Sequence, residues 1–292
     1  MTYDRTQEAA QAAGDNANAK PVVLTGAGGA IGRVLRAHFK ETGRVVRYTD
    51  IKPLPADASD TSDKAGQDAS FTQGDLGDPT FCRTLFEGAG AIVHMAGISV
   101  EQPLETLLPH NYLALFHVYE TARQCGVRRI VYASSNHATG MYACDIALDP
   151  TMPVSPDSQY GLSKVWGEGL ARLYWEKHGI ETVCLRIGSF QPRPVSVRHL
   201  STWLSYRDTC ALVDAGLDTP GVGFDIVYGM SANTRAWWDN SRARVAYHPT
   251  DNAEEYAEQI LADSTPVDAL EARFQGAEFA AATYSRTPPR EA

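Results

Sequence analysis

The chain has 292 residues, 43% of them hydrophobic and 21% charged, with a formal net charge of −9 and a pI of about 5.4. A chain of this size can bury roughly three quarters of its unfolded surface, so one large domain with a sizeable core is expected. The acidic balance argues against a nucleic-acid binder, which needs a basic face for phosphates, and no stretch is long and apolar enough to span a membrane. Five cysteines are scattered singly at 82, 125, 144, 184 and 210. No Cys-x-x-Cys or His-Glu-x-x-His occurs, so neither a disulfide framework nor a metal site is expected, and a reducing cytoplasm fits.

Residues 1–19 lack an apolar run and read as a flexible leader rather than a signal peptide. From residue 21 strand and helix patterns alternate. "PVVLT" is a strand, then comes a glycine loop, then "AIGRVLRAHFKET" with helical spacing. "RVVRYT" is the second strand, ending at Asp50. Residues 52–70 are polar, with Pro, Asp and Ser throughout, and read as an exposed insertion. "FTQGDL" is a short strand, "DPTFCRTLFEG" a short helix and "AIVHMAG" a fourth strand. A long amphipathic helix covers 104–124, "RRIVYASS" is the fifth strand, and a second long helix covers 158–178. "ETVCLRIG" and "GFDIVYG" complete seven strands. This order predicts an α/β fold with a doubly wound parallel sheet. From about 188 the alternation is expected to give way to short helices, including "NAEEYAEQILAD". They would form a small substrate-side cap over 188–265, within one domain spanning 20–265, and leave a tail at 266–292.

"TGAGGAIG" carries Gly26, Gly29 and Gly32 between a predicted strand and a predicted helix. Glycine allows the tight turn and the close approach of backbone to a pyrophosphate. The helix start at Ala30 and Ile31 offers unpaired N–H groups to the anion. Asp50, 24 residues after Gly26, can accept from ribose hydroxyls and repel a 2′-phosphate, which favours NAD over NADP. Asp75 could bond the adenine amino group, with Leu76 packing the ring. Asp75 could equally cap the helix that follows.

Tyr160 and Lys164 are four residues apart on one helix face. A fixed positive charge favours phenolate over phenol, which suits Tyr160 to act as a base. "VYASSNHATG" delivers Ser134, Ser135, Asn136 and His137 to the carboxyl end of the fifth strand, where ligands sit in open α/β sheets. After the sixth strand Ser189, Arg193 and Arg198 follow, and an arginine fork suits a carboxylate. The residues alone do not choose between Arg193 and Arg198.

Together these motifs resemble the Rossmann-like extended short-chain dehydrogenase/reductases over residues 21 to about 265. "YASSNHATG", "PDSQYGLSKVWGEGLARLY", "LRIGSFQPRP", "RHLSTWLSYRD" and "IVYGMSANTRAWWDN" are similar to the uronate dehydrogenases among them. The resemblance implies NAD-dependent oxidation of the C1 hydroxyl of cyclic glucuronic or galacturonic acid to an aldarolactone. It implies Ser135, Tyr160 and Lys164 as catalytic residues, with Lys164 on the nicotinamide ribose. It adds Ala96, Gly97, Asn111 and Ile187 to the cofactor contacts, with Asn111 holding Lys164 through backbone and water, against a plain reading as a buried helix-bending Asn. It places the carboxylate clamp at Arg198 and completes the sugar pocket with Ser99, Asn136, His137 and Ser189. The chain departs from the superfamily at His94, where Asn is frequent, and His94 is expected to support the loop at Ala96–Gly97. Two alternatives compete: a nucleotide-sugar epimerase or dehydratase, and a non-catalytic dinucleotide sensor. Only 132 residues follow Tyr160, short for a nucleotide-sugar domain, and a sensor needs no base. Homo-oligomers through the two long helices are expected by analogy.

Overall fold

The structure, a computed structural model, describes residues 20–54 and 70–286. The 1–19 leader, most of the 52–70 insertion and the end of the tail lie outside the described residues. Seven strands, β1 (Val22–Thr25), β2 (Val46–Asp50), β3 (Phe71–Gln73), β4 (Ala91–His94), β5 (Arg129–Ser135), β6 (Glu181–Ile187) and β9 (Phe224–Gly229), form one sheet in the order 3-2-1-4-5-6-9. Every neighbouring pair in it is parallel. The order reverses direction between β1 and β4, which opens a crevice at the carboxyl ends of those strands.

Side chains alternate across the sheet with the period of two expected of strands. Val23, Ile92, Ile130, Tyr132 and Cys184 face one core, shared with Leu85 and Phe86 of α2 (Pro79–Phe86), Leu115 and Val118 of α4 (Ala114–Gln124) and Leu170 and Tyr174 of α5 (Gln159–His178). Leu24, Val93, Val131, Val183, Leu185 and Val227 face the other. There they meet Leu35 and Phe39 of α1 (Ala30–Glu41) and Leu212 and Val213 of α7 (Tyr206–Asp218). Runs apolar on both faces are what a doubly covered parallel sheet requires.

Three features differ from the sequence reading. The alternation does not stop at 188: α7 is a full crossover helix returning to β9, and the Ser205 hydroxyl caps it by accepting from the Asp208 N–H. Between β6 and α7 a short parallel pair forms, β7 (Ser189–Phe190) with β8 (Trp203–Leu204), joined through α6 (His199–Thr202). The long helix predicted over 104–124 is broken into α3 (Leu104–Leu107), a π-helical segment at Leu108–Leu113 and α4. A π segment inserts one residue into a helix and shifts its register.

Candidate active site

Gly26 follows β1 with φ +70, and a Cβ there would lie 2.7 Å from the Ala96 N atom. A Cβ on Gly32 would lie 2.1 Å from the Gly26 carbonyl oxygen. Loop and helix therefore pack at backbone distance, as a phosphate-binding turn needs. Gly29 caps α1 without a side-chain bond, and Gly29 and Ala30 are exposed, so the amides at Ala30 and Ile31 face open space. Asp50 closes the crevice beside them, accepting from the Gly28 N–H at 2.9 Å and the Lys52 N–H at 3.1 Å. Sequence reasoning had passed over Gly28.

At the end of β3, the helix cap is Asp78, which accepts from the Thr80 N–H at 2.8 Å. Asp75 is exposed, and its side chain accepts from the Gly77 N–H. Leu76, expected to pack an adenine ring, is 7% exposed. Its side chain is buried in the core with Val23, Cys82 and Phe86, because the short strand turns inward there.

Ser135, Tyr160 and Lys164 come together beneath the loop after β5. Tyr160 is buried, and burial pushes its phenol up to about 12, against the lowering effect of a hydrogen bond with Ser135. Lys164 Nζ donates to the Ala133 carbonyl at 2.9 Å and sits 5.4 Å from the Tyr160 ring centroid. Burial lowers the Lys164 ammonium to about 8. The expectation that Lys164 depresses the Tyr160 pKa is thus not met by the chain alone. Desolvation penalises the charged form of each group.

Two supports hold this cluster. His94 is buried with Nδ1 2.9 Å from Thr25 Oγ1, which in turn accepts from the Ala96 N–H at 3.4 Å. Desolvation first, and the Lys164 charge second, lower its pKa to about 3, so the ring stays neutral and braces the loop. Asn111 lies in the π segment. Its Oδ1 accepts from the Ile98 N–H at 2.8 Å, and its Nδ2 donates to the Ile98 carbonyl and to Ser163 Oγ, each at 3.0 Å. Ser163 Oγ donates to the Tyr160 carbonyl at 2.7 Å. Asn111 therefore sits at the helix break and ties Ile98, next to Gly97, to Ser163 on the turn that carries Tyr160 and Lys164.

On the substrate side, Arg198 Nη1 donates to Ser189 Oγ at 2.8 Å. Asn136, with its amide oriented to satisfy both neighbours, donates to the Ile187 carbonyl and accepts from Arg198 Nη2, each at 3.0 Å. Arg193 is exposed. His137 Nδ1 is 2.6 Å from Asp157 Oδ2, and its ring meets Tyr160 edge-on at 5.7 Å. Ser99 is exposed, two residues before Glu101.

Several residues here were not singled out from sequence. Glu101 accepts from the Gln159 and Tyr160 N–H groups at 3.1 and 2.8 Å, anchoring the start of α5. The Asp157 carboxylate is enclosed by glycines: a Cβ on Gly140 or Gly276 would fall 1.7 or 2.0 Å from its Oδ2. Glu168 and Arg186 form a buried bidentate pair at 2.9 Å, and Glu168 also accepts from Ser134 at 2.6 Å. Removing one partner of such a pair costs about 3–5 kcal/mol. The segment read as a tail contributes directly. Gln275 lies between α9 (Ala269–Arg273) and α10 (Glu278–Ala281), and its carbonyl accepts from Arg198 Nε and Nη2. Phe279 stacks on His137 at 4.0 Å. The sequence signals were the Gln-Gly step at 275–276 and two phenylalanines in an Ala-rich stretch. A cavity of about 910 Å³ has Arg198 in its lining together with Cys144, Arg193, His199, Tyr256 and Glu278, among others. It touches neither Ser135 nor Tyr160 and is separate from the cluster that carries the chemistry.

Residues 22–193 match the NAD dependent epimerase/dehydratase family. A uronate dehydrogenase of Pseudomonas putida is 45% identical over 264 residues, covering 89% of this chain and 96% of its own length. A mutant uronate dehydrogenase from Agrobacterium tumefaciens, solved in complex with NAD, has a TM-score of 0.82 at 40% identity, covering 90% of this chain and 97% of that one. A glucuronic acid dehydrogenase from Chromohalobacter salexigens has a TM-score of 0.83 at 38% identity, with coverage of 90% and 97%. Similarity at this level runs well past the dinucleotide-binding half and through the Arg198 segment, so the chain belongs to the uronate dehydrogenases of the NAD dependent epimerase/dehydratase family.

Proposed function

We propose that the chain oxidises the C1 hydroxyl of cyclic D-glucuronate and D-galacturonate with NAD, releasing the aldarolactone. The observation that carries this reading is Arg198. Its guanidinium is bonded only to neutral groups, the Gln275 carbonyl, Ser189 and Asn136, the residue after Ser135. Among the described residues it forms no direct ion pair, with Glu278 and Asp157 acting on it only from farther off, and a guanidinium so placed beside a Ser-Tyr-Lys cluster fits a substrate that is both a carboxylate and an alcohol.

In this reading Gly26, Gly29, Gly32 and the α1 amides hold the pyrophosphate, and Asp50 holds the adenosine ribose. Asp75 lies beside the adenine, and Ala96, Gly97 and Ile187 line the nicotinamide half. The backbone distances at Gly26 and Gly32, where any Cβ would collide, support that fit. NAD, when bound, supplies the hydride acceptor and a positively charged ring. Tyr160 takes the C1–OH proton, Ser135 orients the oxygen, and Lys164 stabilises the phenolate while its remaining N–H groups bond the nicotinamide ribose. Ser99, Asn136, His137 and Ser189 surround the sugar. Five free thiols support a reducing cytoplasmic setting. Exposed Leu113 and Phe116, and Leu162 and Leu173 on α5, support self-association through that face.

The test is NADH absorbance with purified protein. Glucuronate and galacturonate are expected to give NADH; glucose and galactose are expected to give little. An epimerase would give no net NADH, and a sensor none at all. Asp50→Ala should weaken NAD and narrow its advantage over NADP, because an acceptor and a repulsive charge vanish together. Paired titrations of the two dinucleotides check this, and a wild type preferring NADP would refute the role given to Asp50.

A further inference from the structure

An arginine carries five N–H groups, and here nearly all are already engaged. Nε donates to the Gln275 main-chain carbonyl at 3.2 Å, and Nη2 donates to the same oxygen at 2.8 Å. Nη2 also donates to Asn136 at 3.0 Å, and Nη1 donates to Ser189 Oγ at 2.8 Å. One N–H remains, on Nη1. Ser189 cannot easily add a second donor. Thr202 spends its hydroxyl hydrogen on the Arg198 carbonyl at 3.0 Å, so the Ser189 hydrogen is directed to Thr202 Oγ1 at 2.8 Å. A carboxylate arriving here meets a single N–H, where the sequence argument had assumed a two-pronged fork.

The carbonyl that imposes this is itself immobilised. Gln275 is 1% exposed. Its Oε1 accepts from Trp238 Nε1 at 2.8 Å, and its Nε2 donates to the Ile146 and Ala143 carbonyls at 2.8 and 3.2 Å. Its N–H donates to the Tyr142 carbonyl at 2.9 Å, and the next N–H, of Gly276, to the Gly140 carbonyl at 2.8 Å. The side chain has little bonding capacity left, and all of it anchors the residue to the loop after β5 and to Trp238. The neighbouring Ala277 has φ +49, a costly conformation for a residue with a Cβ, held by this packing. A main-chain carbonyl orients the guanidinium without forming an ion pair with it. An acidic side chain in that place would orient it and neutralise it.

We propose that Gln275 is a positioning residue for substrate specificity. Through its carbonyl it pins Arg198 so that one Nη1 N–H meets the carboxylate of a hexuronic acid end-on. The proposal rests on the reading that the carboxylate binds at Arg198.

Gln275→Met keeps the length of the side chain and removes its three bonds, freeing the carbonyl to turn. KM for glucuronate is expected to rise about tenfold or more, equivalent to about 1.4 kcal/mol. The kcat should stay within about twofold and NAD affinity should be unchanged, since only recognition of the carboxylate is loosened. General structural damage would instead weaken NAD binding and lower kcat. Trp238→Phe, which removes only the donor to Gln275 Oε1, should move KM the same way by less, and serves if the Met variant does not fold. An unchanged glucuronate KM in a folded variant overturns the proposal, as does equal loss of NAD affinity. Wild-type protein that yields no NADH from glucuronate would instead overturn the underlying reading.

Discussion

Tyr160→Phe is expected to lower kcat on glucuronate by roughly 10²–10⁴-fold, the usual contribution of a positioned general base, while NAD affinity is retained. The ring keeps its packing against His137 and Phe279, so only the ionisable oxygen is lost. The pH profile should change with it. Burial holds the free phenol near 12, so the phenolate is the minority form at neutral pH, and wild-type kcat/KM should climb as pH rises through neutrality. Lys164, lowered to about 8, also loses its proton as pH rises, which removes a charge that favours the phenolate. Stopped-flow NADH formation across that range reads both effects. A Phe variant with near-normal kcat and the same pH dependence would rule out Tyr160 as the base.

Arg198→Ala should reduce kcat/KM for glucuronate and galacturonate by at least tenfold, up to several hundredfold, from a cost of about 2–5 kcal/mol for stripping one partner from a charge pair. NAD affinity should hold, because Arg198 is tied to Ser189, Asn136 and Gln275 rather than to the glycine loop. Arg198→Lys should recover only part. An ammonium keeps the charge but cannot reach Ser189, Asn136 and the Gln275 carbonyl at once. Steady-state kinetics on both uronates settles the matter, with Arg193→Ala as the control. If that control shows the loss and Arg198→Ala does not, the carboxylate binds elsewhere.

The sheet was legible in sequence because its strands are short apolar runs separated by glycine, proline and polar turns, a pattern that local periodicity captures. The Ser135, Tyr160 and Lys164 cluster was legible because strand ends and i, i+4 spacing are local too. α7 was missed although its Ser205-x-x-Asp208 start is a capping signature. The helix-bending reading of Asn111 pointed to the break at the π segment, but its bonds to Ile98 and to Ser163, 52 residues away, are not local and were not legible. Glu101, Asp157, Gln275 and Phe279 were missed for the same reason. Their partners lie in other segments, and the Ala-rich composition of the last helices hides the two residues that face the site.

The niche around Asp157 has a consequence for how this family can vary. Gly140, Gly161 and Gly276 come from three separate segments, and a methyl on any of them would fall within 3.0 Å of the one carboxylate. That carboxylate in turn engages His137 and Ser158. Gly140 and Gly276, where the nearest atom is the carboxylate itself, therefore vary together with 157: an alanine tolerated at either in a relative would require a smaller residue at 157, and with it a different neighbour for His137, whereas Gly161 is held first by the His137 carbonyl at 2.4 Å. Substitutions here should be strongly epistatic, so a harmless exchange seen in one homologue need not transfer to this chain, and libraries meant to change sugar preference should vary the set together.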